Sequence, residues 1–507
     1  MAQLDQHNLA RLAEESWQRH GAYDQVFFEG VWHSSELIHD RAARVAGGLR
    51  RSGIEPGDRV VVMMMNMPEV FISYQAIWRA GAVVTPVIFL QTPAELRHIL
   101  EDSGARAAII SSELIPLITA AAGGLDLQVI VVGDIPEGVE ASPYPELEAG
   151  DPAPIEPRRD DDLAALLYTG GTTGRAKGVM LSHRGLWESG RGINQVTEEI
   201  GTTRTLLPLP LSHAFGLIVF VGGLHAEKPQ TFVLQRWFDP TGWLQLASEH
   251  RIETSPVVPS MLQMLLEQPH RDYDLSALRT FGCGGAPLLP ALRAEVEDAF
   301  GIEVLEGYGC TESSAVVATA STADNRAGSV GRPAPHAEVI IVDALGNALP
   351  SGEEGEILVR GHGVMMGYWN DPDLTARTVI DGWLHTGDVG RMDEDGHLYV
   401  VDRVKDLIIR GGFNVFPRDV EDALMSHSAV MAAAVVGRPD PRTGEEVVAA
   451  VALHPGAQAT PEELMEHAQA RLARYKYPRE VRILEAIPVT SVGKTDRKAV
   501  RALVHDG

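Results

Sequence analysis

A stretch rich in glycine and threonine, residues 168–179, constrains the fold and function of this chain more than any other feature. It reads YTGGTTGRAKGV and contains four glycines and three threonines. Glycines let backbone N–H groups converge on one point, and threonine hydroxyls and Lys177 add further hydrogen-bond donors. This chemistry suits the binding of a polyphosphate, although an ordinary flexible surface loop has a similar composition.

The segments on either side predict how this stretch is held. Residues 163–167 form a short apolar run that predicts a buried strand, and residues 180–190 are predicted to open a helix. The stretch is not a Walker A motif, because that motif has Lys directly after its last Gly and then Ser or Thr. Here Arg175 and Ala176 separate Gly174 from Lys177.

The composition restricts the class of protein and its partners. In 507 residues, 69 acidic and 43 basic side chains give a net charge of −26, which argues against a nucleic-acid or anionic-membrane surface. No apolar run approaches the roughly 18 residues of a membrane-spanning helix, and we expect no signal peptide. Cys283 and Cys310 provide neither a disulfide framework nor zinc-ligand spacing. We therefore expect a cytoplasmic protein without stable membrane insertion.

Apolar runs alternate with amphipathic segments in the first part of the chain. Strands are predicted at 60–65, 83–87, 107–110 and 129–132, and helices at 34–53, 68–81, 94–100 and 115–121. A similar block lies between about 205 and 324. Such alternation is typical of parallel sheets covered by helices. The predicted fold class is therefore α/β, with a large N-terminal domain of two helix-covered sheets.

The remainder of the chain has a different pattern. Short strands at 338–342 and 355–359 predict a small β-barrel-like sheet. The C-terminal part combines helices predicted at 417–425 and 461–475 with strands predicted at 432–436, 447–453 and 481–484. This mixture predicts a small α+β domain. The boundary is placed at 402–405, so the predicted domains are 1–402 and 403–507.

Two further motifs offer groups that suit a nucleotide. In 307–312, an aromatic side chain between glycines can pack on a purine, and Thr311 and Glu312 supply oxygen ligands for phosphate and magnesium. In 384–388, the carboxylate of Asp388 on a predicted turn can accept both hydroxyls of a ribose. Each motif also has an ordinary explanation, the first as a charge at a helix N-terminus and the second as an Asp turn.

The order and spacing of these motifs resemble the adenylate-forming superfamily of acyl-CoA synthetases, luciferases and peptide-synthetase adenylation domains. Within it the chain is most similar to a fatty-acyl or aryl-CoA ligase. The resemblance extends from about residue 34 to residue 501. It includes the segments GDRV at 57–60, PLPLSH at 208–213, GGAPL at 284–288, GSVGRP at 328–333, YKYP at 475–478 and GK at 493–494.

The resemblance implies an enzyme with a reaction in two steps. A carboxylate attacks the α-phosphate of MgATP and releases pyrophosphate, and the thiol of coenzyme A then takes the acyl group from the acyl-adenylate and releases AMP. The implied cofactors and substrates are ATP, Mg2+ and coenzyme A, and the C-terminal domain is implied to be a mobile lid. An acyl carrier protein in place of coenzyme A, and a homodimer, are left open.

The resemblance also implies the residues of the site. The nucleotide-binding residues are Thr169, Gly170, Gly171, Thr172, Thr173, Gly174, Lys177, Gly284, Ala286, Pro287, Glu306, Gly307, Tyr308, Gly309, Asp388 and Arg403. The acyl pocket is lined by His213, Phe215, Gly216 and Cys310, and the coenzyme A channel by Arg410, Gly411 and Gly412. The catalytic residues are Lys494, Thr311, Glu312 and Lys405, and Glu312 is also the metal ligand.

The two lysines of the C-terminal part have different implied roles. An ammonium group between the attacking carboxylate and the α-phosphate orients both and offsets developing charge, and we assign this role to Lys494. Lys405 falls at the hinge about which the small domain pivots. The pivot withdraws Lys494 and brings in the turn at 410–412.

The chain departs from the family pattern at two positions in the glycine-rich stretch. Gly170 stands where Ser is usual and Ala176 where Pro is usual, so one hydroxyl donor is lost and the backbone before Lys177 is less restricted. A hydrogen bond to a charged group contributes about 1.5–3 kcal/mol, or roughly one to two decades in rate. Two alternatives therefore stay open: an enzyme that forms thioesters from a preformed acyl-adenylate, and a non-catalytic acyl-nucleotide binding protein.

The predicted acyl pocket is apolar. No Asp or Arg occurs in the segment that follows His213 as far as Gly223. This favours a bulky or long apolar acid over an amino acid or a dicarboxylate, although 217–224 also suits an ordinary core helix. The two cysteines lie beside nucleotide motifs, and we expect them to pack rather than to react.

Overall fold

The computed structural model describes residues 6–169, 175–403, 406–410, 413–489 and 495–505, and for Arg403, Asn414 and His505 it describes the backbone alone. The chain divides into two compact units. The larger draws on Met1–Leu288, Ala294–Val339 and Val359–His385, and the smaller on Leu289–Arg293, Ile340–Leu358 and Thr386–Gly507. Within the described ranges, no helix is long and apolar enough to cross a membrane.

Ser34 caps α2, where the sequence predicts a helix to begin, and a capping box of Thr92 and Glu95 begins α4. In chain order the helices are α1 Leu9–His20, α2 Ser35–Arg51, α3 Pro68–Arg79, α4 Pro93–Ser103, α5 Ile115–Ala122, α6 Tyr144–Glu148, α7 His183–Ile200, α8 Ala214–His225, α9 Pro240–Glu249, α10 Pro259–Leu266, α11 Pro290–Phe300, α12 Pro372–Thr378, α13 Pro417–Met425, α14 Pro461–Gln469 and α15 Arg497–His505.

The strands of both units are mostly short. In chain order they are β1 Asp24–Phe28, β2 Val31–Ser34, β3 Arg59–Met63, β4 Val83–Pro86, β5 Ala107–Ser111, β6 Gln128–Val132, β7 Ser142–Pro143, β8 Leu163–Thr169, β9 Lys177–Ser182, β10 Arg204–Leu207, β11 Thr231–Leu234, β12 Thr254–Val257, β13 Thr280–Cys283, β14 Glu303–Tyr308, β15 Ala318–Thr319, β16 Arg332–Pro333, β17 Ala337–Val342, β18 Gly355–Gly361, β19 Gly367–Tyr368, β20 Val379–Ile380, β21 Trp383–Met392, β22 Leu398–Arg403, β23 Ile408–Arg410, β24 Phe413–Val415, β25 Val430–Asp440, β26 Gly444–Leu453 and β27 Glu480–Leu484.

Two large sheets build the larger unit. One has the order β19-β9-β8-β4-β3-β5-β6-β7 and the other β16-β15-β14-β13-β12-β10-β11-β1-β2. The central strands of each pair in parallel, because helices cross over between them. Helix α3 lies between the sheets: Trp78 donates to the Ala164 carbonyl of β8 over 3.0 Å, and Phe71 packs 5.6 Å from Phe232 of β11. The predicted pair of helix-covered sheets is confirmed.

The glycine-rich stretch connects the two strands of an antiparallel hairpin. Strands β8 and β9 pair from Leu163↔Ser182 to Thr169↔Lys177. The predicted helix at 180–190 is therefore wrong in its first residues. Val179 and Leu181 are buried and alternate with Met180, so the strand continues to Ser182, whose hydroxyl accepts from Gly185 N and caps α7.

A third sheet of five strands contains β17, β18, β20, β21 and β22, with antiparallel pairs of β20 with β21 and β21 with β22. The predicted small sheet is confirmed. The predicted turn at 384–388 is wrong, because Asp388 lies inside β21 and pairs with Arg403 of β22. Gly387 has a φ of 68°, so the strand accommodates the left-handed residue that made the sequence resemble a turn.

The smaller unit contains a five-stranded sheet of order β24-β23-β26-β25, with β27 beside β26. Alternate residues of the long strands face opposite sides, so Val435 and Val447 pack in the cluster with α13 and α14, whereas Val436 and Val448 pack against α15. Helix α14 ends at Gln469, so the predicted end at 475 is wrong, and Tyr475 stacks 4.8 Å from Phe413 of β24. The predicted α/β class with a small α+β unit is confirmed.

Candidate active site

We call residues 169–177 the Gly/Thr loop; they extend from the last residue of β8 to the first residue of β9. Thr169 ends β8 and Lys177 begins β9, and these two residues are direct partners in the hairpin. The predicted phosphate-binding residues Gly170, Gly171, Thr172, Thr173 and Gly174 lie outside the described residues. Within the Gly/Thr loop, the structure therefore describes Thr169 and residues 175–177.

Helix α4 contacts the chain at Ala176, next to the last residue of the loop, and at Tyr168, directly before its first residue. His98 Nε2 donates to the carbonyl of Ala176 over 2.9 Å, and Asp102 Oδ2 accepts from the Tyr168 hydroxyl over 2.6 Å. Burial, together with the Asp102 carboxylate, raises the pKa of Tyr168, so its hydroxyl stays a donor at neutral pH. Neither His98 nor Asp102 belongs to a sequence motif, so neither was predicted as a site residue.

Thr311 and Glu312 lie on a short 3-10 turn, Thr311–Ser313, that follows β14. Ser313 Oγ accepts from Cys310 N over 3.0 Å, and Ala315 N donates to Cys310 O over 2.9 Å. Gly309 is required here, since a Cβ on it would lie 2.0 Å from the Ala315 carbonyl. This closed turn presents the Glu312 carboxylate.

Tyr368 of β19 is the main partner of that carboxylate. Its hydroxyl donates to Glu312 Oε1 over 3.0 Å, and Lys177 Nζ lies 5.7 Å from the centre of its ring. Burial and the neighbouring Glu312 charge raise the pKa of Tyr368, so the hydroxyl stays protonated at neutral pH. The structure thus brings two predicted site residues, Lys177 and Glu312, to one tyrosine that sequence reasoning missed.

The donor set at Glu312 fits magnesium. A carboxylate oxygen is the kind of ligand that Mg2+ prefers, and Mg2+ is commonly held by one or two carboxylates together with substrate phosphates and water. Glu312 Oε1 accepts from the Tyr368 hydroxyl. In the part of the chain that the structure describes, there is no group of three or more His, Cys, Asp or Glu side chains that could hold a metal ion.

The predicted adenine-slot residues meet at the carboxyl ends of two neighbouring parallel strands. Gly284 follows β13 and Gly307 lies near the end of β14, and a Cβ on Gly284 would come within 3.2 Å of the Gly307 carbonyl. Ala286 and Pro287 follow Gly284 in the same loop. Glu306, Gly307 and Tyr308 are residues of β14, and Gly309 follows directly. The carboxyl edge of a parallel sheet is a common position for ligands.

The predicted acyl-pocket residues lie at the start of α8 and beside the same strand ends. His213 caps α8 by accepting from Phe215 N, and a Cβ on Gly284 would lie 3.4 Å from the Phe215 ring. Gly216 packs against the Pro210 carbonyl, where a Cβ would lie 2.3 Å away. Most of α8 beyond this point is buried, so 217–224 is largely core helix. Cys310 is half-buried, and Cys283 is buried.

The remaining predicted residues belong to the smaller unit. Asp388 is buried, and its N–H donates to Thr386 Oγ1 over 3.1 Å. Arg403 is its cross-strand partner. Arg410 forms an ion pair with Glu446, Nε to Oε1 2.5 Å. Lys405, Gly411, Gly412 and Lys494 lie outside the described residues.

Comparisons with known proteins cover nearly the whole chain. Residues 13–369 match the family model described as AMP-binding enzyme, and 419–494 match its C-terminal domain model. A feruloyl-CoA synthase of Amycolatopsis is 38% identical over 467 residues, 91% of this chain and 92% of that protein. A long-chain-fatty-acid–CoA ligase of Bacillus subtilis is 34% identical over 492 residues, 90% and 87% of the two chains. ATP-bound MatB of Rhodopseudomonas palustris has a TM-score of 0.90 at 31% identity, covering 100% and 99%.

The fold and the matched motifs define the class as adenylate-forming enzymes. The chain belongs to the AMP-binding enzyme family, and its relatives make it an acyl-CoA ligase that uses ATP and coenzyme A. The predicted superfamily and enzyme class are confirmed.

Proposed function

We propose that the protein activates a bulky or long apolar carboxylic acid as its acyl-adenylate and transfers the acyl group to coenzyme A, releasing pyrophosphate and AMP. The observation that carries this proposal is the shared contact of Lys177 and Glu312 with Tyr368. A cation at the end of the Gly/Thr loop and a carboxylate suited to magnesium thus approach the same side chain. MgATP requires this combination of charges.

In the first step, each group has a role that follows from its chemistry. The Gly/Thr loop, with Lys177 at its end, holds the β- and γ-phosphates, and Thr311 donates its hydroxyl to the α-phosphate. Mg2+, when bound, neutralises phosphate charge and makes the α-phosphorus a better electrophile. Glu312 holds that ion through its carboxylate. Lys494 orients the attacking carboxylate against the α-phosphate.

In the second step, the C-terminal domain changes position. We place the domain boundary between residues 402 and 403, with Lys405 at the hinge, so that 403–507 acts as a mobile lid. The segment 410–412 then lines the passage of the coenzyme A thiol, because adjacent glycines allow a close approach to the backbone. Asp388 and Arg403 hold the ribose in both steps.

The side chains that line the proposed pocket support an apolar acid as the substrate. Phe215 lies beside the backbone of Gly284, and the buried helix α8 continues from it with apolar side chains. The two named ligases act, by their names, on a feruloyl group and on long-chain fatty acids, both of which present an extended apolar body. We therefore infer a single-carboxylate acid with an aryl or long alkyl body.

We also propose the metal, the compartment, the acyl acceptor and the assembly state. Magnesium is the metal, and the cytoplasm is the compartment. Coenzyme A is the acceptor, with the phosphopantetheine of an acyl carrier protein as the alternative thiol. A homodimer is the assembly state to test by light scattering.

The decisive experiment is ATP–pyrophosphate exchange with a panel of acids: ferulate, benzoate and a long-chain fatty acid, with malonate and an amino acid as polar controls. Exchange with an apolar acid but not with the controls supports the ligase. Absence of exchange with every acid, together with thioester formation from synthetic acyl-adenylate, favours the enzyme that uses a preformed adenylate. Absence of both reactions favours a non-catalytic binding protein.

A further inference from the structure

We propose that Tyr368 is a positioning residue for Glu312: its hydroxyl holds one carboxylate oxygen so that the other faces the metal–ATP complex. This inference rests on the proposed function, in which Glu312 is the magnesium ligand. It assigns a role to a residue that lies 56 positions from Glu312 in sequence.

Glu312 is held at two points by the short segment 365–368. Its backbone carbonyl accepts from Met365 N over 2.8 Å, and its Oε1 accepts from the Tyr368 hydroxyl over 3.0 Å. Both the main chain and the end of the side chain are therefore fixed relative to this segment. A glutamate has three rotatable side-chain bonds, so a contact at its end removes most of its remaining freedom.

Tyr368 is itself firmly placed. It pairs with Val179 of β9, and its N–H donates to Thr375 Oγ1 over 2.8 Å. The next residue, Trp369, donates its backbone N–H to Gly178 O over 2.7 Å. Only 8% of Tyr368 is exposed, so its ring has little room to reorient. The hydroxyl is thus a fixed donor on β19, the strand that pairs with β9 directly after the Gly/Thr loop.

Tyr368 also lies near a side chain of opposite charge to Glu312. Lys177 Nζ approaches the ring, 5.7 Å from its centre, whereas Glu312 accepts from the hydroxyl at the ring's edge. With this arrangement the Tyr368 hydroxyl occupies Glu312 Oε1, and Oε2 is the oxygen that faces the cation in our proposal. Groups that orient a metal ligand typically change metal affinity by about 10- to 100-fold when removed.

The test uses Tyr368→Phe, which keeps the ring and its contact with Lys177 but removes the hydroxyl. Binding of Mn2+ to the full-length protein with α,β-methylene-ATP, followed by electron paramagnetic resonance, reports the metal site without turnover. We expect the Mn2+ concentration for half-saturation to rise about 10-fold. The matched control is Tyr399→Phe, which removes a similar tyrosine–carboxylate hydrogen bond to Asp393 Oδ2 (3.1 Å) and should leave this value unchanged.

Activity supplies a second measurement. ATP–pyrophosphate exchange should fall about 10-fold in Tyr368→Phe at low Mg2+ and recover at high Mg2+, while thioester formation from synthetic acyl-adenylate stays at the wild-type rate. If the Mn2+ concentration for half-saturation is the same in Tyr368→Phe as in wild type, the inference is wrong, even if the melting temperature of the variant changes. A wild-type protein that binds the Mn2+–nucleotide complex but exchanges with no acid overturns the proposed adenylation instead, and the Mn2+ comparison still decides the role of Tyr368.

Discussion

His98 and Asp102 lie four residues apart on α4 and hold opposite ends of the Gly/Thr loop, His98 through the Ala176 carbonyl and Asp102 through Tyr168. Residues four apart share one face of a helix, so a single rigid element spans the two ends. Ala176 is the position at which the family resemblance leads us to expect Pro. The His98 contact restrains that same residue by a hydrogen bond instead of a ring.

We expect His98→Leu to raise the KM for ATP in pyrophosphate exchange by about 3- to 10-fold, because it removes one hydrogen bond of about 0.5–1.5 kcal/mol. His98→Gln keeps an N–H donor and serves as the matched control, with a KM close to wild type. Equal KM values for His98→Leu and wild type would show that α4 does not restrain the Gly/Thr loop.

Gly309→Ala should disrupt the turn that presents Glu312, since the new Cβ would lie 2.0 Å from Ala315 O. We expect a loss of about 1–3 kcal/mol in the free energy of unfolding, measured in urea, and a large loss of exchange activity. Gly282→Ala is the control, because a Cβ on Gly282 meets no atom within 4 Å. Similar stability losses in both variants would contradict the steric explanation.

Arg497→Met should destabilise the smaller unit. Arg497 pairs through both terminal nitrogens with Glu421 and donates to the Val435 carbonyl over 2.9 Å, with the two side chains only 19% and 13% exposed. Removing one member of a buried pair leaves the other charge uncompensated and costs about 3–5 kcal/mol. Urea unfolding of the full chain measures this loss.

A more exposed ion pair in the same unit provides the comparison. Arg438 and Glu480 are 34% and 31% exposed, so Arg438→Met should cost no more than about 1 kcal/mol. A cost for Arg438→Met equal to that for Arg497→Met would refute the dependence on burial.

Asp422 makes the stability of the smaller unit depend on pH. Burial raises the pKa of its carboxyl from 3.8 to about 6. The charged groups that face it are Arg418, Glu421, Asp419 and Asp402. Because the folded pKa lies above the unfolded value, the folded state takes up a proton between about pH 4 and 6, and stability falls as pH rises through this window.

Asp422→Asn removes the cost of ionisation at this position. Since the side chain is 39% exposed and partly screened, we expect a gain of only about 1 kcal/mol at pH 8 and a flatter stability profile from pH 4 to 6, measured by urea unfolding. Asp419→Asn, which breaks the 2.5 Å pair with Lys476, should give no such gain. A stability at pH 8 that does not rise in Asp422→Asn would contradict the assignment.

Lys494→Ala should lower acyl-adenylate formation by roughly 100- to 1000-fold, the usual effect of removing a group that stabilises transition-state charge. Thioester formation from supplied acyl-adenylate should stay near the wild-type rate, because the role proposed for the lysine belongs to the first step alone. Rapid-quench measurement of each half-reaction separates the two. Equal losses in both steps would refute the assigned role.

Local signals in the sequence predicted most elements correctly. Helix α13 has the predicted bounds, Pro417–Met425, and Ser34 caps α2 as expected, because a capping residue and an amphipathic period lie within one segment. The predictions at 180–182 and at Asp388 are wrong because both positions lie in strands that form by pairing with a neighbouring strand. Strand β9 exists because β8 lies beside it, and Asp388 lies in a strand because β22 pairs with it.

The amino-acid sequence alone determined the family and the enzyme class and predicted the residues that match family motifs, because these depend on residue type and order along the chain. Only the tertiary structure decided that Tyr368 reaches Glu312 and that α4 contacts both ends of the Gly/Thr loop. These contacts join residues 56, 66 and 78 positions apart. They depend on the register of β19 against β9 and on the packing of α4 beside β8, which no local pattern specifies.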